Sequence, residues 1–99
     1  MTERRSIEIL GKTFSIDWSA HISGGMGEFD YDNLIIHLAR GLPEQRTISN
    51  ALHEAIEVIN ADLELKLDQD TIERLETAMF ALLVRSGVDL RPLIWEDGA

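Results

Sequence analysis

Apolar and polar residues alternate in two separate stretches near the start of the chain. Ile7 and Ile9 stand on one side of residues 6–10 with Glu8 on the other, and residues 14–18 alternate again through Phe14, Ile16 and Trp18. A period of two is that of a half-buried strand, and Gly11-Lys12 between the runs supplies a turn, so the spacing predicts a β-hairpin. Residues 19–27 hold Gly24, Gly25 and Gly27, show no periodicity and read as a loop, with His21 as a solvated loop histidine. Residues 27–31 then lead through Asp32-Asn33 into residues 34–38, which predicts a second hairpin closed by turn residues. Asp30 and Asp32 lack the glycine and distal glutamate of a calcium loop, so turn formation is the better account of them. His37 reads as an outward-facing strand residue, with contact to an extended peptide at a sheet edge as its functional alternative.

After Pro43 the period changes. Proline suits the first turn of a helix, and Ile48, Leu52, Ile56 and Ile59 recur at spacings of three and four as one apolar stripe. Residues 63–67 alternate briefly, as a strand or a packed link. Asp70, with Glu73 three residues later, forms the capping box of a second helix. Ile72, Leu75, Met79, Leu82 and Leu83 supply its expected buried face, and Gly87 its end. Residues 88–99, with Pro92 and Trp95, read as an extended tail that packs partly back. Four strands followed by two helices predict one α+β domain over residues 1–99, a small antiparallel sheet of two hairpins packed on two helices.

Composition narrows the function classes. Eighteen acidic residues against nine basic give a formal charge of −9 over 99 residues, a sign that repels phosphate backbones and argues against direct nucleic-acid binding. The same charge suits a cation, a basic partner, or simple solubility. Cysteine is absent, so any metal must be held by His, Asp or Glu. No apolar run approaches a membrane span and no leader is apparent, which points to the cytoplasm of a bacterium or an infected host cell.

One stretch asks for a chemical explanation. Residues 50–60 read Asn-Ala-Leu-His-Glu-Ala-Ile-Glu-Val-Ile-Asn, and on a helix His53 and Glu57 lie one turn apart on one face, bordering the apolar stripe. This is the spacing of H-E-x-x-H with the second histidine replaced by glutamate. In that motif two residues ligate a metal and the intervening glutamate activates the attacking water. A carboxylate ligates a divalent ion as imidazole does, so the replacement keeps a site possible while making it more anionic. A third ligand is required, and Glu76 is the candidate. It neighbours Ile72, Met79, Phe80 and Leu83 on the second helix, where an unpartnered carboxylate is costly. The expected set is therefore His53, Glu57 and Glu76 as ligands and Glu54 as general base. H-E-x-x-E also arises by chance in acidic amphipathic helices, in which case Glu54 and Glu57 are a solvated face.

Residues 27–38, residues 52–60 with their H-E-x-x-E-x-x-N pattern, and Leu75-Glu76 together resemble a family of small phage and prophage proteins of zincin type, related to minimal metallopeptidases that cleave phage repressors. The resemblance covers roughly residues 27–83. It implies a zincin-like fold and a divalent metal, zinc in the first place with manganese the alternative. Peptidase activity belongs to members with H-E-x-x-H, so Glu57 departs from the active pattern. Two functions follow as expectations. One is a metal-dependent hydrolase that aligns an extended peptide on an edge formed by residues 34–38. The other is a non-enzymatic, acidic phage interaction or inhibitor protein that occupies a basic partner, with a structural or vestigial metal site.

Overall fold

The computed structural model describes residues 2–19 and 27–96. Its elements are β1 (Thr2–Glu3), β2 (Ser6–Ile9), β3 (Lys12–Ser19), β4 (Gly27–Asp30), β5 (Ile35–Ala39), α1 (Glu44–Asp62), α2 (Gln69–Arg85), a 3₁₀ turn (Arg91–Leu93) and β6 (Trp95–Glu96). The α+β class and both hairpins are as the alternation predicts. In the first hairpin the turn sits one residue earlier than Gly11-Lys12: Leu10 and Gly11 take φ of 52° and 80°, and consecutive positive values match the right-handed twist of the flanking strands. The second is closed by Tyr31–Leu34, where Asp30 accepts from the backbone N–H (3.1 Å) and side-chain amide (2.8 Å) of Asn33. Asp30 is thus a turn residue, as expected. The predicted loop and His21 lie outside the described residues, apart from the loop's two end residues.

The sheet itself differs from expectation in one respect. Its order is β2-β3-β5-β4, and β3 pairs with β5 in parallel, so the two hairpins meet in a mixed sheet rather than an antiparallel one. Residues 34–38 consequently form no edge. β5 is paired on both sides, and β4 is the free edge on that side among the described residues. Register puts Ile16, Ile36 and Phe29 in one row and Trp18 beside Leu38 in the next, all on the face that packs with Ile48, Ala51 and Val58 of α1. Phe14 is fully buried at the centre of that layer, and a side chain of this size contributes about 1.5–3 kcal/mol when removed from water.

α1 is covered on two sides. Ile48, Ala51 and Val58 face the sheet, while Leu52 and Ile56 join Ile72 of α2 in a second cluster. α2 therefore packs chiefly on α1, with Phe80 reaching the main core, and this corrects the expected buried face. Ile72 is fully buried, but Leu75, Met79 and Leu82 are 39%, 39% and 65% exposed, because one neighbouring helix covers only a narrow stripe. The capping box is corrected as well. α2 begins at Gln69, and its N-cap is Asp68, whose Oδ1 accepts the Thr71 N–H at 2.8 Å. Glu73 is left exposed on the surface. Gly87 ends the helix as predicted: at φ 82° it donates to the Val84 carbonyl while Val88 donates to that of Leu83, the paired bonds of a Schellman motif.

The link at residues 63–67 is neither strand nor helix; Glu64 and Lys66 both take positive φ, and Asn60 Oδ1 pins it by accepting the Leu67 N–H at 2.9 Å. The tail packs back as expected and more tightly. β6 pairs antiparallel with β1, Arg4 N–H donates to the Ile94 carbonyl at 2.8 Å, and Ile94 is fully buried. No helix among the described residues is long and apolar enough to cross a membrane.

Candidate functional site

The His53-Glu54-x-x-Glu57 run lies in the middle of α1, where the helix is bounded by the sheet on one side and by α2 on another. The helical repeat separates its three side chains by environment. Leu52 and Ile56 point to α2, and Ala51 and Val58 to the sheet. Glu54 follows Ala51 by three residues and precedes Val58 by four, so it is carried onto the sheet-facing flank. There it is only 2% exposed, and its Oε1 has no hydrogen-bond partner among the described residues. Burial pushes its carboxyl up to about 8, with weaker help from the negative charges of Glu57 and of Glu28 on β4. A carboxyl in that state holds its proton at neutral pH.

His53 is also buried, and it meets the residue chosen for it from the sequence. Its Nδ1 lies 3.3 Å from Glu76 Oε1 on α2, and the other Glu76 oxygen accepts from Ser49 Oγ at 2.5 Å. Ser49 and His53 are one turn apart on α1, so Glu76 spans two successive turns of the facing helix. Glu57 does not join them. It is half-buried, and its Oε1 accepts from Gln69 Nε2 at 2.9 Å, where the first turn of α2 passes. The structure thus brings Glu76 to His53 and sends Glu57 to Gln69. Among the described residues no group of three or more His, Asp or Glu side chains comes together as a cation cage.

Donor chemistry defines what these residues can hold. An ionised Glu76 can only accept, so a hydrogen on His53 Nδ1 would satisfy this contact and leave the Nε2 lone pair for a ligand. Glu57 keeps one oxygen that makes no hydrogen bond among the described residues, and the orphaned Glu54 oxygen sits in the same segment. His53 Nε2 and Glu57 are thus two donors one turn apart on α1 that could hold a cation, with Glu76 touching the other nitrogen of the imidazole. Ser49 and Gln69 are not singled out from the sequence. Ser49 follows the same i, i+4 spacing that pairs His53 with Glu57, which is the signal that finds it; Gln69 depends on the inter-helix geometry and has none.

His37 faces the other side of the sheet. Its Nδ1 is 2.8 Å from Asp17 Oδ2, which also accepts from Ser19 Oγ at 3.0 Å; these two contacts hold the Asp17 carboxyl below its ordinary range. A different pair closes the core at the end of α1: Asp62 Oδ1 accepts from Lys12 Nζ at 2.6 Å and from Tyr31 Oη at 2.5 Å, one residue from each hairpin. Comparison of the chain with models of known families, with curated proteins and with solved structures gives no match.

Proposed function

We propose that this chain is a divalent-cation-binding domain with its site on α1, and that it acts as a metal-dependent peptide hydrolase in the cytoplasm of a bacterial or phage-infected cell. The observation that supports this reading best is the Glu54 Oε1 oxygen, buried and without a hydrogen-bond partner among the described residues, in one helical segment with His53 and Glu57. A buried carboxylate left alone is unfavourable by several kcal/mol, roughly, and a cation within its reach relieves that cost by favouring the charged form. His53 Nε2 and Glu57 would hold the ion, zinc in the first place with manganese the alternative. When bound, it supplies Lewis-acid polarisation of a peptide carbonyl. Glu54 takes a proton from the attacking water at its free oxygen and returns it to the leaving amine. β4, the sheet edge beside α1 that no strand covers among the described residues, offers backbone groups to which an extended peptide can add as a strand.

Metal analysis of the purified protein, followed by zinc titration of the wild type, His53→Ala and Glu54→Gln, tests the roles. His53→Ala should lose the ion. Glu54→Gln should keep it and lose hydrolysis by about 10²–10⁴ in rate, because a base supplies proton transfer and not binding. If Glu54→Gln releases the ion as readily as His53→Ala, the division of roles is wrong.

A second reading has its own observation. Glu8, Asp17, Glu28 and Asp30 alternate with core-facing residues and so share the face of the sheet turned away from α1, within a chain of net charge −9. That face suits a basic protein surface, and the chain would then be an acidic interaction or inhibitor protein of phage type. Wild-type protein that neither retains metal nor cleaves any peptide in a mixed library would favour it.

A further inference from the structure

We infer that Glu76 is a positioning residue and not a metal ligand: with Ser49 it fixes the proton of His53 on Nδ1, so that Nε2 is the nitrogen offered to a ligand. This rests on the cation-site reading for its purpose, but its geometry is independent of it. Glu76 has two acceptor oxygens and no donor when ionised, and each is engaged from α1. One faces His53 Nδ1 at 3.3 Å, and the other accepts from Ser49 Oγ at 2.5 Å. Both partners in the first contact are shielded, with side-chain exposures of 8% for His53 and 18% for Glu76. No Lys or Arg reaches Glu76 among the described residues.

A carboxylate held there by hydrogen bonds alone requires a hydrogen on Nδ1; the opposite tautomer would set a lone pair against a negative oxygen. Ser49 contributes by occupying the second oxygen, which stops the carboxyl from rotating away from the ring. The ring's Nε2 has no hydrogen-bond partner among the described residues. Orientation of a histidine ligand by a carboxylate on its other nitrogen typically changes metal affinity by about 10–100-fold. Glu76 therefore sets both the tautomer and the direction of the lone pair across the α1–α2 interface.

Long-range ¹H–¹⁵N NMR of the imidazole in metal-free protein reads the tautomer directly, and zinc titration reads the consequence. The wild type should show the Nδ1–H form. Glu76→Ala should move His53 toward the Nε2–H form and weaken zinc binding by about 10–100-fold. Glu76→Gln, whose amide oxygen still accepts from Nδ1–H, should retain the wild-type tautomer and most of the affinity. Ser49→Ala should give an intermediate loss, and it keeps the test open if Glu76→Ala fails to fold. An Nε2–H wild type overturns the inference, as does a folded Glu76→Ala with unchanged tautomer or unchanged affinity. Equal and complete zinc loss in Glu76→Gln, Glu76→Ala and His53→Ala would make Glu76 a ligand and overturn it too. An Nδ1–H wild type that follows the variants as described but binds no zinc upholds the positioning role and defeats the cation-site reading alone.

Discussion

The buried Glu54 carboxyl should give this protein a stability that falls as pH rises through neutrality, opposite to the usual acid-denaturation trend. Its proton is held in the folded state up to about 8, against an ordinary 4.5. A group whose folded-state pKa is raised favours the folded state fully below its unfolded value, and loses that contribution as pH climbs through the folded one. At about 1.4 kcal/mol per pH unit, the interval from 4.5 to about 8 sets a ceiling of about 5 kcal/mol. Effective dielectrics in proteins lie nearer 20 than 4, so about half of that, roughly 2–3 kcal/mol, is the expected size. This is a large part of the 5–15 kcal/mol, roughly, by which domains are stable. Urea unfolding with chelator present, at steps between about pH 5 and pH 9, measures it. The paired variant is Glu54→Gln, which keeps the shape and cannot titrate. The two proteins differ only at this position, so the difference between the two curves isolates Glu54. Curves that stay parallel across the window would refute the reasoning, because they would mean that Glu54 is as solvated in the folded chain as in the unfolded one. Zinc added at the alkaline end should restore stability to the wild type more than to the variant.

Three further outcomes follow from the packing. Ile94→Ala should cost about 2–5 kcal/mol in urea unfolding, because the side chain is fully buried in the main core although it lies in the tail; a loss under about 0.5 kcal/mol, the range of surface changes, would mean that the tail is not docked. Gly87→Ala should lower thermal stability by about 1 kcal/mol. A Cβ there meets nothing within 4 Å, so the cost is the positive φ alone, and an unchanged melting temperature would refute it. Asp62→Asn should lower the urea midpoint more than Arg74→Ala, since Asp62 joins both hairpins to α1 whereas Arg74 only faces Asp70 one turn away on the surface. Equal shifts would show that the Lys12–Asp62–Tyr31 cluster does not hold the layers together.

What could be read from the sequence was local. Alternation located both hairpins, the three- and four-residue spacing located α1 and α2, and Gly87 marked the end of α2. The parallel pairing of β3 with β5 is a long-range choice that no local period records, and the edge strand was misplaced for that reason. Asp68 and Asp70 are equally good caps by residue type; the backbone's entry angle selected Asp68. Leu75, Met79 and Leu82 show that amphipathicity reports an apolar stripe but not how wide its partner is. In the site, Glu76 was found because a carboxylate among Ile72, Met79, Phe80 and Leu83 needs a partner, and His53 is that partner. Glu57 receives a hydrogen bond on one oxygen from Gln69, a polar residue on the facing helix that no local spacing announces. The burial of Glu54 is visible only once Ala51 and Val58 are recognised as a second apolar stripe that brackets it.

The pairing of β1 with β6 bears on how the molecule responds to tension. Thr2 lies opposite Glu96 and Glu3 opposite Trp95, so the outer ends of the two strands lie side by side. A force applied between residues 2 and 96 would load the backbone hydrogen bonds of this pair one after another, as a zip is opened, and not all at once in shear. The next links in the path are the Arg4 bonds to the Ile94 and Pro92 carbonyls, both 2.8 Å. Once they part, Ile94 is pulled from beneath the sheet and α1 loses one wall of its core. Tension applied between residues 2 and 96 would therefore part the fold at low force, beginning with the β1–β6 seam.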